Sequence, residues 1–180
     1  MRGVVFREFL KFVADATSEG FVDDMILDLK VGSGGSDGVS GDRDHRDMLE
    51  MVAYVERKTG DDAAELTESF GRALFGRFLT LYPELFRNQT RALDFLQEVE
   101  VHIRGQLRDL YPIAVAPQLE CDRKSDDELV VHLRSERPLA DLCAGLIQAA
   151  LSHFGAKAAV ERNERRTAAW DVEFSIRTIG

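Results

Sequence analysis

The chain has 180 residues, 44% of them apolar and 31% charged, and a formal net charge of −9. That length and balance fit one folded domain with a real core and exclude a disordered chain. The acidic charge argues against a nucleic-acid partner, because phosphate binders carry a basic face; the one basic stretch, ERNERRT at 161–167, alternates in sign and reads as a solvated turn.

Residues 2–18 read as an amphipathic helix, with Val5, Phe9, Phe12 and Val13 on one face. Arg7, Lys11 and Asp15 interrupt the apolar run, so it is neither a membrane span nor a signal segment. Two cysteines, Cys121 and Cys143, are too few for a disulfide framework and lack metal-ligand spacing, which points to a reducing cytoplasm. A second short helix spans 20–30. VGSGGSDGVSGD at 31–42 is glycine-rich without Gly-Lys-Ser/Thr, and reads as a flexible loop and not a phosphate cradle.

Helical signals return at 44–59, with Gly60 as the cap, and Asp61 or Asp62 opens the next helix at 62–81. Leu66, Phe70, Leu74 and Phe78 form its apolar stripe, and Pro83 marks its end. A long helix covers 90–111, with Leu96, Val99, Ile103, Leu107 and Leu110 facing the core and Glu100, Arg104 and Arg108 paired outside. After Pro112 and Pro117 the period becomes two. PQLEC and DELVVHLRS read as strands joined by the turn DRKSD. In the second, Leu129, Val131, Leu133 and Ser135 face one way and Val130, His132 and Arg134 the other. Pro138 starts a helix that Gly155 ends, and strands follow at 157–162 and 169–178. In the last, Trp170, Val172, Phe174 and Ile176 alternate with polar residues. The fold class is α+β: helices first, then a four-stranded antiparallel sheet with one inserted helix. The domain reading is a single unit, 1–180, with an N-terminal helical part at 1–60.

Four histidines are present. His45 sits in a charged loop, His132 on the polar face of a strand and His153 at a helix C-terminus, all with ordinary structural explanations. His102 borders the apolar face of a helix beside Phe95 and Val99, where it is either a satisfied core residue or a ligand. No nucleophile elbow, His-Glu-x-x-His or Cys-His arrangement occurs, so the residues read as a binding module and not an enzyme. One polar cluster stands out in HLRSERPLADLCAGLI, where a strand runs into an almost uncharged helix. Positions 133, 135 and 137 of an extended strand point the same way, so Ser135 and Arg137 aim a hydroxyl and a guanidinium at one spot. Those groups suit a carboxylate on an apolar ligand; the alternative is that Arg137 pairs with a surface acid.

Four segments, in order, resemble the heme NO/oxygen-binding (H-NOX) family over essentially the whole chain. MRGVVFREFL is similar to the family's start and FGRALFGRFLTLYPELF to its central helix. FLQEVEVHIRGQLRDLYP is similar to the segment with the proximal histidine, and LRSERPLADLCAGLI to the Tyr-x-Ser-x-Arg segment and its following helix. The resemblance implies heme b (iron protoporphyrin IX) held between helices, with His102 as proximal iron ligand and Ser135 and Arg137 on the propionates. Leu133 replaces the motif tyrosine, and Pro117 matches a heme-contacting proline. The implied distal wall is Val5, Phe9, Leu74, Phe78 and Leu142, with Leu142 where oxygen-holding members carry a tyrosine.

That apolar wall implies a sensor that binds NO, takes CO weakly and disfavours O₂. Its signal is release of the proximal histidine and movement of the helix that bears it. The implied partner is a histidine kinase or a cyclic-di-GMP enzyme on a separate chain, with no membrane association. Two rival readings remain: a heme-free interaction protein of the same fold, which Leu133 favours, and a carrier of another apolar carboxylate.

Overall fold

The computed structural model describes residues 2–30, 40–110, 117–166 and 170–179, without the side chains of 2–4, 40–45, 102–110 and 165–166. Six α-helices are described: α1 (Arg2–Ala16), α2 (Glu19–Leu29), α3 (Ser40–Thr59), α4 (Ala63–Leu81), α5 (Ala92–Leu110) and α6 (Ala140–His153). Four strands follow or flank the last helix: β1 (Gln118–Ser125), β2 (Glu128–Ser135), β3 (Ala158–Arg166) and β4 (Trp170–Thr178). They form one antiparallel sheet in the order β1-β2-β4-β3, with α6 inserted between β2 and β3. The α+β architecture expected from the periodicities is the one observed. A 3₁₀ turn at Pro83–Phe86, not anticipated from the sequence, joins α4 to α5.

The helix ends follow local chemistry. The Asp62 carboxylate accepts the backbone N–H groups of Ala64 and Glu65 at 2.9 and 3.0 Å, the groups a helix N-terminus leaves without partners. Gly60 closes α3 at φ 83°, a left-handed conformation that glycine adopts without a Cβ clash. Ser18 caps α2 in the same way as Asp62 caps α4, accepting from the Phe21 N–H at 3.2 Å.

Three apolar clusters organise the interior. The first joins α1, α2, α3 and α4 around Phe9, Val13, Met25, Met51, Phe70 and Leu74. The second lies between the sheet and α6, with Leu129, Val131, Val172, Phe174 and Ile176 against Ala140, Ala144, Ile147 and Leu151. The third joins α4, the 3₁₀ turn, α5 and α6 through Phe75, Phe86, Phe95 and Ala150. Helix α6 takes part in all three. Its Leu142 and Leu146 turn toward the first cluster while Ala144 and Ile147 turn toward the second. Burial on both sides is why this helix is almost uncharged. Its Asp141 is matched by Arg162 of β3 at 2.6 Å.

Several expectations need correction. Glu100 is not on the outside of α5 but only 5% exposed, because that helix buries a wider stripe than its heptad leucines define. The partners expected for it, Arg104 and Arg108, lie outside the described side chains, as do Ile103, Leu107 and Leu110. Strand β1 runs on through the expected turn DRKSD, with a register shift between Arg123 and Ser125, so the reversal is tighter than expected. The segment expected as a solvated turn at 161–167 belongs through Arg166 to β3, an edge strand whose charges suit a wet edge. His45 lies within α3 and not in a loop. Most of the loop expected at 31–42 lies outside the described residues.

Helices α4 and α6 meet backbone to backbone. A Cβ added to Gly71 would sit 2.5 Å from the Leu142 carbonyl oxygen, and one added to Gly145 would overlap the Glu68 carbonyl. Gly76, on the exposed side of α4, has nothing within 4 Å. Gly145→Ala should therefore lower stability by about 1–3 kcal/mol through forced separation of the helices. Gly76→Ala should raise it by about 0.5–1 kcal/mol, because alanine orders less backbone on folding. Urea unfolding followed by circular dichroism checks both; equal effects of the two substitutions would contradict the crossing.

Candidate functional site

The five residues expected on a distal wall come from three helices and meet in one cluster. Phe9 of α1 and Leu74 of α4 are buried at its centre, and Val5, Phe78 and Leu142 pack against them. Phe9 meets Phe70 edge to face at 5.1 Å between ring centroids, which fixes α1 on α4. An ion pair missed by sequence reasoning borders this wall. Arg77 donates to the Glu8 carboxylate from Nε at 2.7 Å and from its NH2 nitrogen at 3.2 Å, linking α4 to α1 beside Phe78 and Phe9. Two opposite charges in adjacent helical stripes were visible in the sequence, but which stripes face each other was not.

The polar cluster lies at the far end of the inserted helix, where β2 stops. Ser135 is only 5% exposed, and its Oγ accepts the Arg137 backbone N–H at 3.0 Å, shaping the turn into α6. Arg137 lies in that turn, half-buried, and not on the strand as its parity had implied. The two residues are brought together by the turn, not by strand alternation. Pro117 is half-buried immediately before β1. Leu133 is a core residue. It sits on the inner face of the sheet, in register with Leu119 of β1 and Val172 of β4.

His102 falls on α5, and its side chain lies outside the described residues. By helical period, position 102 falls on the side of α5 that carries Phe95 and Val99. The first half of α5 is fastened to the sheet. Arg123 reaches Asp94 at 3.0 Å, Cys121 Sγ donates to the Leu96 carbonyl at 3.7 Å, and Arg91 donates to the Asp126 carbonyl at 2.7 Å.

The other candidates have structural roles. His132 is on the outer sheet face, with Nδ1 3.6 Å from the Glu173 carboxylate. His153 closes α6 against the rings of Phe75, Phe86 and Phe154, at 5.7, 5.9 and 4.8 Å. Burial, reinforced by neighbouring Cys121 and only partly offset by Arg162, pushes the Cys143 thiol up to about 12, which leaves it protonated and unreactive. No described helix is long and apolar enough to cross a membrane.

Comparison with known proteins agrees with this geometry. Solved structures of the same fold include one probing heme distortion in the H-NOX family, at 19% identity and a TM-score of 0.86, covering 100% of this chain and 96% of that one. A mutant H-NOX of T. Tengcongensis aligns at 20% identity and 0.84, covering 100% and 98%. The Fe(II) unliganded H-NOX protein from K. algicida aligns at 23% and 0.83, covering 100% and 97%. These likenesses speak for the fold. No curated protein sequence matches. The family model described as Haem-NO-binding matches residues 2–162, and the chain thus belongs to the H-NOX family of heme-based gas sensors.

Proposed function

We propose that this chain is a sensor that takes NO in preference to O₂ on a heme b held between α5 and the distal wall. The observation that carries the reading is the convergence of Val5, Phe9, Leu74, Phe78 and Leu142 in a single cluster. None of these side chains has a hydrogen-bond donor. Bound O₂ carries partial negative charge and gains from a donor, whereas NO does not depend on one, so an apolar wall sets the preference. CO, also indifferent to a donor, is a weak second ligand.

The residues present fit a heme. Ser135 Oγ accepts one hydrogen bond and still has its own O–H to give. Arg137 beside it brings a fixed positive charge with a fork suited to a carboxylate. Both stand at the mouth of an apolar interior, the arrangement that a macrocycle with two propionates requires. When bound, the heme would supply an iron that takes a diatomic gas. In this reading His102 would hold the iron, and Pro117 would help to line the heme pocket. The first half of α5 is anchored by Asp94 and Leu96, so a movement of the helix that bears His102 would fall on its second half. The two units of this movement are residues 1–60 and 61–180.

Domains of this family are sensors and not enzymes, so the output passes to another protein. We assign that role to a histidine kinase or a cyclic-di-GMP enzyme on a separate chain, in the cytoplasm. One observation favours a second reading, a heme-free interaction protein: Leu133 fills the core where the motif has a tyrosine. A Soret band in protein purified from heme-replete cells separates the two, and its absence would sink the sensor.

Four substitutions test the assignments. In His102→Gly the ferrous spectrum of a histidine-ligated heme should vanish and return with added imidazole; an unchanged spectrum would exclude His102. Leu142→Tyr should slow O₂ release by about tenfold or more, the value of a hydrogen bond to a charged group. Stopped-flow measurement reads it, and a stable oxygen complex in the unsubstituted protein would show a donor in the wall. Arg137→Ala should speed heme loss to an acceptor globin by about tenfold to a hundredfold. Ser135→Ala should cost less, and equal retention in Arg137→Ala and the parent would misplace the propionates.

A further inference from the structure

One residue of β4 departs from the others on its face. On β4, Val172 and Phe174 are 1% exposed and Ile176 is 0%, yet Trp170, of the same parity, is 38% exposed. It is the only tryptophan in the chain. The register explains what stands beside it. Trp170 is the Cα partner of Ser135, as Val172 is of Leu133. Side chains of such a pair begin about 5 Å apart on the same face, a gap an indole can span. So the hydroxyl assigned to a propionate and this indole lie next to each other at one end of the sheet. The same end carries Arg137.

Chemistry narrows the role. An indole N–H is a donor with no acceptor capacity, so an anionic oxygen suits it. Its ring gives an apolar face to whatever covers it, and tryptophan favours places with one wet and one apolar side. The propionate edge of a heme has both characters. The motif donor is absent, since Leu133 is buried between Leu119 and Val172.

Building on the heme reading, we propose that Trp170 is a propionate-binding residue that takes over, from the neighbouring strand, the donor role of the missing motif tyrosine. Ser135, Arg137 and Trp170 then form the anion site, with two donors from the β2 end and one from the β4 start. The indole also covers the outer edge of the macrocycle, which accounts for a large aromatic side chain left more than a third open on a strand whose Val172, Phe174 and Ile176 are closed.

The test uses the full-length protein loaded with ferric heme or with the heme whose two propionates are methyl esters. Transfer to an acceptor globin is timed for the parent and Trp170→Phe. Phenylalanine keeps the apolar face and removes the N–H. The variant should lose ferric heme about tenfold faster, as expected for one hydrogen bond to a carboxylate, and the two proteins should lose the ester at the same rate. Leu133→Tyr added to Trp170→Phe should recover the slow loss. A second readout needs no variant. The single indole N–H gives one cross-peak in a ¹H–¹⁵N spectrum, and diamagnetic zinc protoporphyrin should shift it and slow its exchange more than the zinc diester does. Equal loss of ferric heme by parent and variant, or an equal indole response to both porphyrins, would overturn the role of Trp170 while leaving the sensor intact. Failure of the parent to take up heme at all would overturn the sensor reading itself.

Discussion

Helices α4 and α6 approach so closely that Gly71 and Gly145 let two backbones touch. The rest of the arrangement depends on it. With α6 pressed into α4, Leu142 is carried into the cluster that holds Phe9 and Leu74, and the opposite side of α6 is left to meet the sheet. One helix thus serves both of these cores, and through Ala150 the aromatic cluster as well. Any side chain at either glycine would push α6 outward, open the cluster around Phe9 and Leu74 and loosen the sheet together. A polar link adds to the contact, with Arg72 of α4 reaching Gln148 of α6 at 2.8 Å.

The same helix sets the geometry of the polar cluster. Because α6 must start close to the sheet, β2 has to end at Ser135 and turn at once. The serine oxygen stabilises that turn by accepting the Arg137 N–H. A structural need and the proposed binding role therefore fall on the same hydroxyl, and Arg137 is held beside it by the turn and not by the strand. The site is built at the seam between sheet and helices, where an open edge is unavoidable.

Much of this was legible in the sequence. Period-four stripes such as Leu66, Phe70, Leu74 and Phe78 gave a helix and its buried side, and the period-two run at Leu129, Val131 and Leu133 gave a strand and its face. Asp62 and Gly60 marked helix ends by their chemistry. Cross-element pairing was not legible. Nothing local says that Trp170 stands opposite Ser135, that Glu8 meets Arg77, or that Glu100 turns inward, because register and helix facing are decided by the whole packing. The parity argument placed Arg137 on a strand that had already ended, which shows how a short-period rule fails at the boundary of its element. The role of Leu133 was half visible: the motif showed what it replaces, and only the register showed the apolar neighbours that hold it.

The Glu8–Arg77 link bears on how α1 can move. Apolar side chains slide over one another with little change in energy, so a purely greasy contact between α1 and α4 would yield gradually. A two-pronged bond between a guanidinium and a carboxylate is directional, and it is lost over a small displacement. The seam between these helices therefore behaves as a catch: α1 is either seated with both prongs engaged or released from them. A protein that must convert a local event into a distinct second shape gains from such a threshold, because thermal jostling below it leaves the seated state unchanged.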